Sequence, residues 1–273
     1  MKKVFACLLA VCMVLPSMAG CSQPQETTAV RLSEVTHSVF YAPQYVAISQ
    51  GFFADEGLTV ELSNGGGADK VMTAVVSGQA DIGLAGPEMT LEYVLRQNGL
   101  TPGEDVTVDT SVQFNMMAGA FTGGGGDYVT LFEPTATEVE QAGKGYILCS
   151  IGQESGEFPY TAYFANRSYL TANVGTVQRF TNAIARAQRW VAEHTDREVA
   201  EAICGQFPDT DLAVLERVCA RHREIDAWNL TPVMEQAALE RLETVMTTAG
   251  QLKQEEWVDF DRLVDNSFAQ KAS

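Results

Sequence analysis

Basic side chains and histidines are scarce in this sequence. Its 273 residues contain 18 lysines and arginines against 35 aspartates and glutamates, and only three histidines. A protein that binds nucleic acid or an anionic lipid surface needs a basic face, so the net charge of −17 argues against both classes. No His-x-x-x-His or Cys-x-x-Cys pair is present. We therefore expect neither a metal site nor a cofactor.

Sequence patterns of catalytic sites are also missing. His37, His194 and His222 lie in different segments, and no Gly-x-Ser-x-Gly or phosphate-loop lysine pattern occurs. The four glycines at 123–126 precede a predicted strand rather than a helix, so the dinucleotide-binding pattern is not met. The sequence therefore favours a binding protein over an enzyme.

The amino-terminal region has the pattern of an export signal. Two lysines precede an apolar run at 4–15, which as a helix of ~18 Å is too short to span a ~30 Å hydrocarbon core. The ending Met18-Ala-Gly-Cys21 resembles a bacterial lipobox. We therefore expect a signal peptide at 1–20, lipidation of Cys21 and a tether at 21–29, which would anchor an extracytoplasmic protein to the cell membrane. A plain secretory signal is the alternative.

Processing at this site would change the charge and the cysteine content. Loss of Lys2 and Lys3 takes the net charge from −17 to −19. Besides the lipidated residue, Cys149, Cys204 and Cys219 remain, and an odd number is a poor disulfide framework. We expect buried free thiols, with a bridge between the last two as the alternative.

The remaining chain alternates strand and helix patterns. This alternation predicts an α/β fold with mainly parallel sheets and crossover helices, followed by a helical C-terminal part. The predicted strands are 58–62, 81–85, 105–109, 128–132 and 145–151. The predicted helices are 43–50, 68–77, 89–97, 134–141, 177–191, 212–223 and a last one from Thr231-Pro232 to Gly250.

Three consecutive glycines, Gly65, Gly66 and Gly67, separate a predicted strand from a predicted helix. We call them the glycine loop. Backbone N–H groups at a helix N-terminus suit an anion or a carbonyl group, so the loop is a candidate ligand cradle. A tight turn without a ligand is the alternative interpretation.

Residues 37–58, His-Ser-Val-Phe-Tyr-Ala-Pro-Gln-Tyr-Val-Ala-Ile-Ser-Gln-Gly-Phe-Phe-Ala-Asp-Glu-Gly-Leu, resemble the opening of one transport family. It comprises the solute-binding proteins of ABC importers for nitrate, sulfonates, taurine and thiamine-pyrimidine precursors. The family's Gly-x-x-Asp-hydrophobic-Gly pattern is matched at 78–83. Weaker similarities lie at 126–128, 132–134 and 160–163.

This resemblance implies a two-lobed fold of the type II periplasmic-binding-protein class, with a small-molecule ligand between the lobes. It implies a monomer that delivers its ligand to ABC permease subunits. We expect the first lobe to begin at 30–88, the second to occupy 89–160, and residues 161–273 to return to the first lobe and end in helices. An enzyme of the same fold that makes thiamine pyrimidine is one alternative, and a truncated lipoprotein that binds nothing is another.

The expected ligand site lies where loops and helix N-termini converge beyond the carboxyl ends of parallel strands. Phe40 and Tyr41 have an alternative role as core aromatics, Asp127 as a turn residue, and Glu133 as a helix cap. The glycine loop favours nitrate or a sulfonate, whereas the aromatic rings and Glu133 favour a pyrimidine. The candidate ligand-binding residues are Ser38, Phe40, Tyr41, Gly65, Gly66, Gly67, Gly86, Glu88, Thr122, Gly123, Asp127 and Glu133.

The chain also departs from the family pattern after Gly86-Pro-Glu88. By comparison with the family, about sixty residues are absent there, leaving about three strands per lobe where five are usual; a missing strand exposes sheet edges and apolar surface. We therefore expect an incomplete first lobe.

Overall fold

The computed structural model describes residues 27–86 and 90–272 and contains one four-stranded sheet within them. The strand order is β2-β1-β3-β4. β1 runs parallel to β2 and β3, and β4 pairs with β3 in the antiparallel sense. The strands are β1 Thr28–Glu34, β2 Leu58–Asn64, β3 Ile82–Ala85 and β4 Ala162–Phe164.

Helices cover the sheet and form the C-terminal part. Within the described residues, none is long and apolar enough to cross a membrane. Short 3₁₀ turns lie at 39–41, 204–206, 254–256 and 269–271. The helices are α1 Ala42–Ser49, α2 Phe52–Asp55, α3 Ala68–Val76, α4 Thr90–Gln97, α5 Phe114–Thr122, α6 Thr135–Gln141, α7 Ile151–Ser155, α8 Arg167–Ala172, α9 Val174–Glu193, α10 Asp196–Ile203, α11 Leu212–Glu224, α12 Gln236–Thr248 and α13 Phe260–Leu263.

The core lies between the sheet and helices α1, α9, α10 and α11. α9 buries the apolar stripe that its sequence predicts, including Phe180 and Ile184, against α1 and α2. Tyr45, Leu32 and Leu215 are among the largest fully buried side chains. Burial of these side chains supplies the main stabilising contribution to this part of the molecule.

Gly86 lies where the chain leaves β3 and passes the segment that leads into β4. A Cβ atom at this position would lie 1.7 Å from the carbonyl oxygen of Tyr160. Only glycine therefore permits this close approach, and the role of Gly86 in the described structure is steric.

Three predicted strands are wrong. Residues 105–109, 128–132 and 145–150 form no strand, and residue 151 begins α7. Tyr128, Tyr146 and Leu148 are 76%, 89% and 73% exposed, although their sequences have the apolar content of strands. A segment with strand propensity forms a strand only when it pairs with another strand. These three segments have no such partner in the described chain, so they remain irregular. All three segments lie within 89–160, the range that the sequence assigns to the second lobe. The described sheet has four strands where five are usual in the family, so the incomplete first lobe stays a prediction.

Two smaller predictions also need correction. The last long helix begins at Gln236 with Glu235 at its N-cap, not at Thr231-Pro232. The three described cysteines are free, but only Cys219 is buried, whereas Cys149 and Cys204 are exposed.

Candidate functional site

A cavity of about 350 Å³ lies beyond the carboxyl ends of β1 and β2. Loops following parallel strands form one wall, and the N-terminus of α5 forms the other. Both the volume and the position are typical of small-molecule sites in α/β proteins. The cavity is lined by Thr36, Asn64, Gly65, Gly66, Lys70, Gln113, Phe114 and Asn115.

The chain itself uses much of the hydrogen-bonding capacity of the glycine loop. The backbone N–H of Gly65 donates to the carbonyl oxygen of Glu34 at 2.8 Å. The N–H of Gly66 donates to the side-chain oxygen of Asn64, also at 2.8 Å. The predicted cradle of three free N–H groups is therefore wrong for these two residues, and the loop contributes shape to the cavity wall.

The backbone of Gly66, in the cavity wall, is left-handed. Its φ angle of +72° is in the left-handed region, which favours glycine. A Cβ atom placed here would meet nothing within 4 Å. A side chain at this position would therefore extend into open space beside the cavity wall.

The opposite wall is the first turn of α5. Gln113 occupies its N-cap but makes no capping hydrogen bond with its side chain. Phe114 packs edge-on against Phe132, with ring centroids 5.3 Å apart, which holds the helix start in place. The positive end of the α5 dipole thus lies at the cavity.

Lys70, from the first turn of α3, contributes the one formal charge among the lining side chains. It makes no ion pair with any described residue. The other polar side chains of the wall, those of Thr36, Asn64, Gln113 and Asn115, are neutral. This arrangement favours a polar or negatively charged ligand. In the described ranges, no group of three or more His, Cys, Asp or Glu side chains could hold a metal ion.

The predicted residues Ser38, Phe40 and Tyr41 lie near this wall but not in it. Ser38 is buried, and its hydroxyl donates to the carbonyl oxygen of Glu133 at 2.9 Å while accepting from the N–H of Phe40. The ring of Phe40 packs against Tyr160 and His222. Tyr41 is buried. In this structure Ser38 therefore caps the 3₁₀ turn, while Phe40 packs against the core and Tyr41 lies within it.

Glu133 caps a helix, as its alternative interpretation holds. Its two carboxylate oxygens accept from the N–H and the hydroxyl of Thr137, each at 2.9 Å. The guanidinium of Arg221 lies 3.2 Å from the same carboxylate. These contacts connect α6 to α11 and leave Glu133 outside the cavity lining.

The remaining candidates are dispersed. Thr122 and Gly123 lie at the C-terminal end of α5, opposite the end that lines the cavity, and Asp127 is exposed. Gly67 is the N-cap of α3 and lies next to the wall. Glu88 and Cys21 fall outside the described residues.

Of the eleven predicted residues that the structure describes, only Gly65 and Gly66 line the cavity. In the sequence, Asn64 and Lys70 are weakly indicated as cavity residues by their positions on either side of the glycine loop. Thr36 is weakly indicated by its position next to the family-like segment 37–58. Gln113, Phe114 and Asn115 had no signal except a helix start after an extended segment.

Two family models match the chain. An NMT1/THI5-like model matches residues 39–101, and an NMT1-like model matches residues 83–205. YtlA, a protein of Bacillus subtilis (strain 168) named as a binding protein, is 33% identical over 326 aligned positions, covering 98% of this chain and 97% of that protein. Since this chain has 273 residues, at least 53 of those positions have no counterpart in it.

Solved structures show the same fold at low sequence identity. A ligand-binding component of an ABC-type import system from Staphylococcus aureus, with zinc bound, is 13% identical with a TM-score of 0.69, covering 90% of this chain and 99% of that one. The alkanesulfonate-binding protein SsuA from Xanthomonas axonopodis pv. citri, bound to MOPS, is 13% identical with a TM-score of 0.65, covering 91% and 99%. These similarities establish the periplasmic-binding-protein fold.

Proposed function

Because the chain belongs to the NMT1-like family of binding proteins, we propose that it captures a small solute outside the cytoplasm and delivers it to an ABC permease. The cavity beyond the carboxyl ends of β1 and β2 is the observation that supports this function most directly. Relatives described as components of ABC import systems support the permease partner. We infer a monomer whose two lobes, 30–88 with 161–273 and 89–160, close on the ligand.

The cavity chemistry favours a small anion over a pyrimidine. Lys70 and the N-terminal end of α5 are both electropositive, and the lining contains no carboxylate. Phe40, Tyr41 and Glu133, which favoured a pyrimidine in the sequence, are outside the lining. The MOPS bound to the Xanthomonas protein is a sulfonate, which agrees with this class.

A thermal-shift screen of the processed protein with nitrate, methanesulfonate and an aminopyrimidine tests the ligand class. A ligand that binds only the native state raises the unfolding temperature in proportion to ln(1 + [L]/Kd). We expect a rise with an anion and none with the pyrimidine. Lys70→Gln should weaken anion binding about 10- to 100-fold, from the loss of ~1.5–3 kcal/mol for a hydrogen bond to a charged group.

Lys144→Gln is the matched control, because Lys144 is exposed and lies outside the cavity lining. Its variant should bind the anion as the wild type does. Stabilisation by the pyrimidine, or equal anion affinity in Lys70→Gln and wild type, would contradict the proposed ligand class.

We also propose that the protein performs no catalysis. A relative named as a binding protein and one described as a component of an import system support this. Mass spectrometry of candidate ligands after incubation with the purified protein should return them unaltered. A converted product would instead support the enzyme of the same fold.

Finally, we propose that Cys21 carries the lipid anchor. The lipobox-like ending Met18-Ala-Gly-Cys21 supports this assignment, and multiple acyl chains are needed for stable anchoring. In cells, Cys21→Ala should shift the protein from the membrane fraction to the soluble extracytoplasmic fraction. Unchanged membrane fractionation would contradict the anchor.

A further inference from the structure

A buried acidic side chain lies behind the cavity wall, at the end of β1. Glu34 is 1% exposed, and its Oε1 lies 2.7 Å from Nδ1 of His37. Its Oε2 accepts from the amide of Gln44 at 2.8 Å and from the hydroxyl of Tyr45 at 2.9 Å. Three donors thus surround a carboxyl group that water hardly reaches, which is how a buried charge is kept at low cost.

Both ring nitrogens of His37 face acceptors. Nε2 lies 2.9 Å from the carbonyl oxygen of Gln206, which cannot donate, so Nε2 carries a hydrogen. The short contact between Nδ1 and Glu34 also requires a proton between the two groups. Glu34 and His37 together therefore hold one proton more than a carboxylate facing a neutral imidazole.

The groups that face this pair from the neighbouring elements are uncharged. Tyr45 from α1 and Phe207 after the 3₁₀ turn flank the imidazole, each with a ring-centroid distance of 4.8 Å. The hydroxyl of Tyr163, on β4, donates to the side-chain oxygen of Gln44. Burial raises the pKa of Tyr45 and of Tyr163, so both hydroxyl groups keep their protons.

The pair is connected to the cavity through the connecting segment, residues 35–38. Upstream, the carbonyl oxygen of Glu34 accepts from Gly65 in the cavity wall. Within the segment, Thr36 lines the cavity, and at its end Ser38 donates to the carbonyl oxygen of Glu133. Any shift of the connecting segment would therefore move the cavity wall and its contact to residue 133.

We propose that Glu34 and His37 are positioning residues of the ligand cavity, and that their shared proton holds the connecting segment in its binding geometry. This role rests on the function proposed above. Loss of the proton leaves either Glu34 or the carbonyl of Gln206 facing a ring nitrogen without a hydrogen. The Tyr45 hydroxyl, 3.0 Å from Nδ1, can then donate to that nitrogen, but the 2.7 Å contact between Nδ1 and Glu34 would still join two acceptors. One of the two contacts must then open, and the connecting segment is released from that side.

The direction of the pH effect follows from the same contacts. Although burial lowers the pKa of His37, its hydrogen bond to Glu34 and the charge of Glu34 raise it overall. Stability from the pair is complete below the ordinary histidine pKa of about 6.5, and is lost as pH rises through the folded-state value.

Histidine NMR tests the pair without any ligand, because the chain has only three histidines. In ¹H–¹⁵N spectra at about pH 7, His37 should show two protonated nitrogens and should titrate above 6.5. In the wild type, the rate of hydrogen exchange at residues 35–38 should rise with pH more steeply than the intrinsic amide exchange rate does. In His37→Gln, it should rise only as steeply as the intrinsic rate. His194→Gln, which alters a histidine outside the cluster, should retain the wild-type profile.

Titration with methanesulfonate tests the link to the cavity. Affinity in the wild type should fall by about tenfold between pH 6 and pH 9, whereas Glu34→Gln and His37→Gln should show a flat profile. A single protonated nitrogen on His37, or an unchanged exchange profile in His37→Gln, would overturn the positioning role even if methanesulfonate binds. If the NMR and exchange results hold but neither methanesulfonate nor any other anion binds, the proposed function fails, and the cavity role with it.

Discussion

Gly66 determines how closely a ligand can approach the first wall of the cavity. Gly66 lines the cavity, its left-handed backbone disfavours a branched side chain, and a Cβ atom there would meet nothing within 4 Å. We expect Gly66→Val to abolish binding of the anion found by screening, while the strain costs only ~1–3 kcal/mol of stability. Calorimetry with that anion and far-UV circular dichroism measure the two effects.

Gly143→Val is the matched control for Gly66→Val. Gly143 also has a positive φ, +64°, and a Cβ there meets nothing within 4 Å, but it lies outside the cavity lining. The control should lose similar stability and keep its affinity. If Gly66→Val binds as tightly as the wild type, the ligand lies elsewhere and Gly66 serves only the turn.

At this residue scale, the sequence predicted Gly65 and Gly66 because unusual glycine clusters report unusual backbone geometry. Lys70 was only weakly indicated and Asn115 not at all, because both line one cavity only through the placement of α3 and α5 in space. Glu34 and His37 were missed for a related reason. A glutamate at the end of a strand is ordinarily exposed. Glu34 is buried against Gln44 and Tyr45 of α1 and against His37, which contacts the turn at 204–206.

Between elements, Asp81 connects the start of β3 to β1. Its carboxylate accepts from the guanidinium of Arg31 at 2.6 and 3.1 Å and from the Arg31 backbone N–H at 2.9 Å. Burial opposes ionisation, but these bonds lower the pKa of Asp81 overall. Asp81→Asn should therefore reduce the free energy of unfolding at pH 7 by about 1–2 kcal/mol.

Urea unfolding at about pH 7 and pH 3 checks both size and sign for Asp81→Asn. The contribution of a carboxyl group with a lowered pKa is complete above its unfolded value of about 3.9 and is lost as pH falls through the folded value, so the difference should shrink in acid. Asp55→Asn is the control, because the ion pair of Asp55 with Arg186 is more than half exposed and should contribute little. Equal losses in the two variants would contradict the assignment.

The sequence predicted helices better than strands, for a physical reason. The stripe in α9 is a property of one segment, so its period is visible in the sequence. A strand exists only with a partner. Both β2 and β3 pair with β1. No described strand pairs with segments 128–132 and 145–150.

Across the described residues, six of the twelve exposed large apolar side chains lie within 90–160, the part assigned to the second lobe. Met116, Tyr128, Tyr146 and Leu148 are each more than 60% exposed, whereas the sheet and α9 enclose a dense core. At least 53 aligned positions of YtlA have no counterpart here. We infer that these positions include the strands on which segments 105–109, 128–132 and 145–150 would pack, and that they belong between Gly86 and Thr90.

This inference predicts the outcome of a chimera in which the additional YtlA segment is inserted between Gly86 and Thr90. Newly paired strands would bury apolar side chains that are now exposed. This burial stabilises the fold by roughly 25 cal/mol for each Å² of apolar surface removed from water. We expect a higher unfolding temperature, lower fluorescence of a bound hydrophobic dye, and slower hydrogen exchange in 128–132 and 145–150.

The same YtlA segment inserted at the exposed turn around Gly143 is the control for the chimera, since it adds equal chain length away from the proposed junction. It should leave dye binding and hydrogen exchange near the values of the unaltered chain. If the Gly86–Thr90 chimera exchanges as fast in 128–132 and 145–150 as the unaltered chain does, the missing positions belong elsewhere. The exposure of Tyr146 and Leu148 would then be intrinsic to this chain, because no strand from that segment would pair with it.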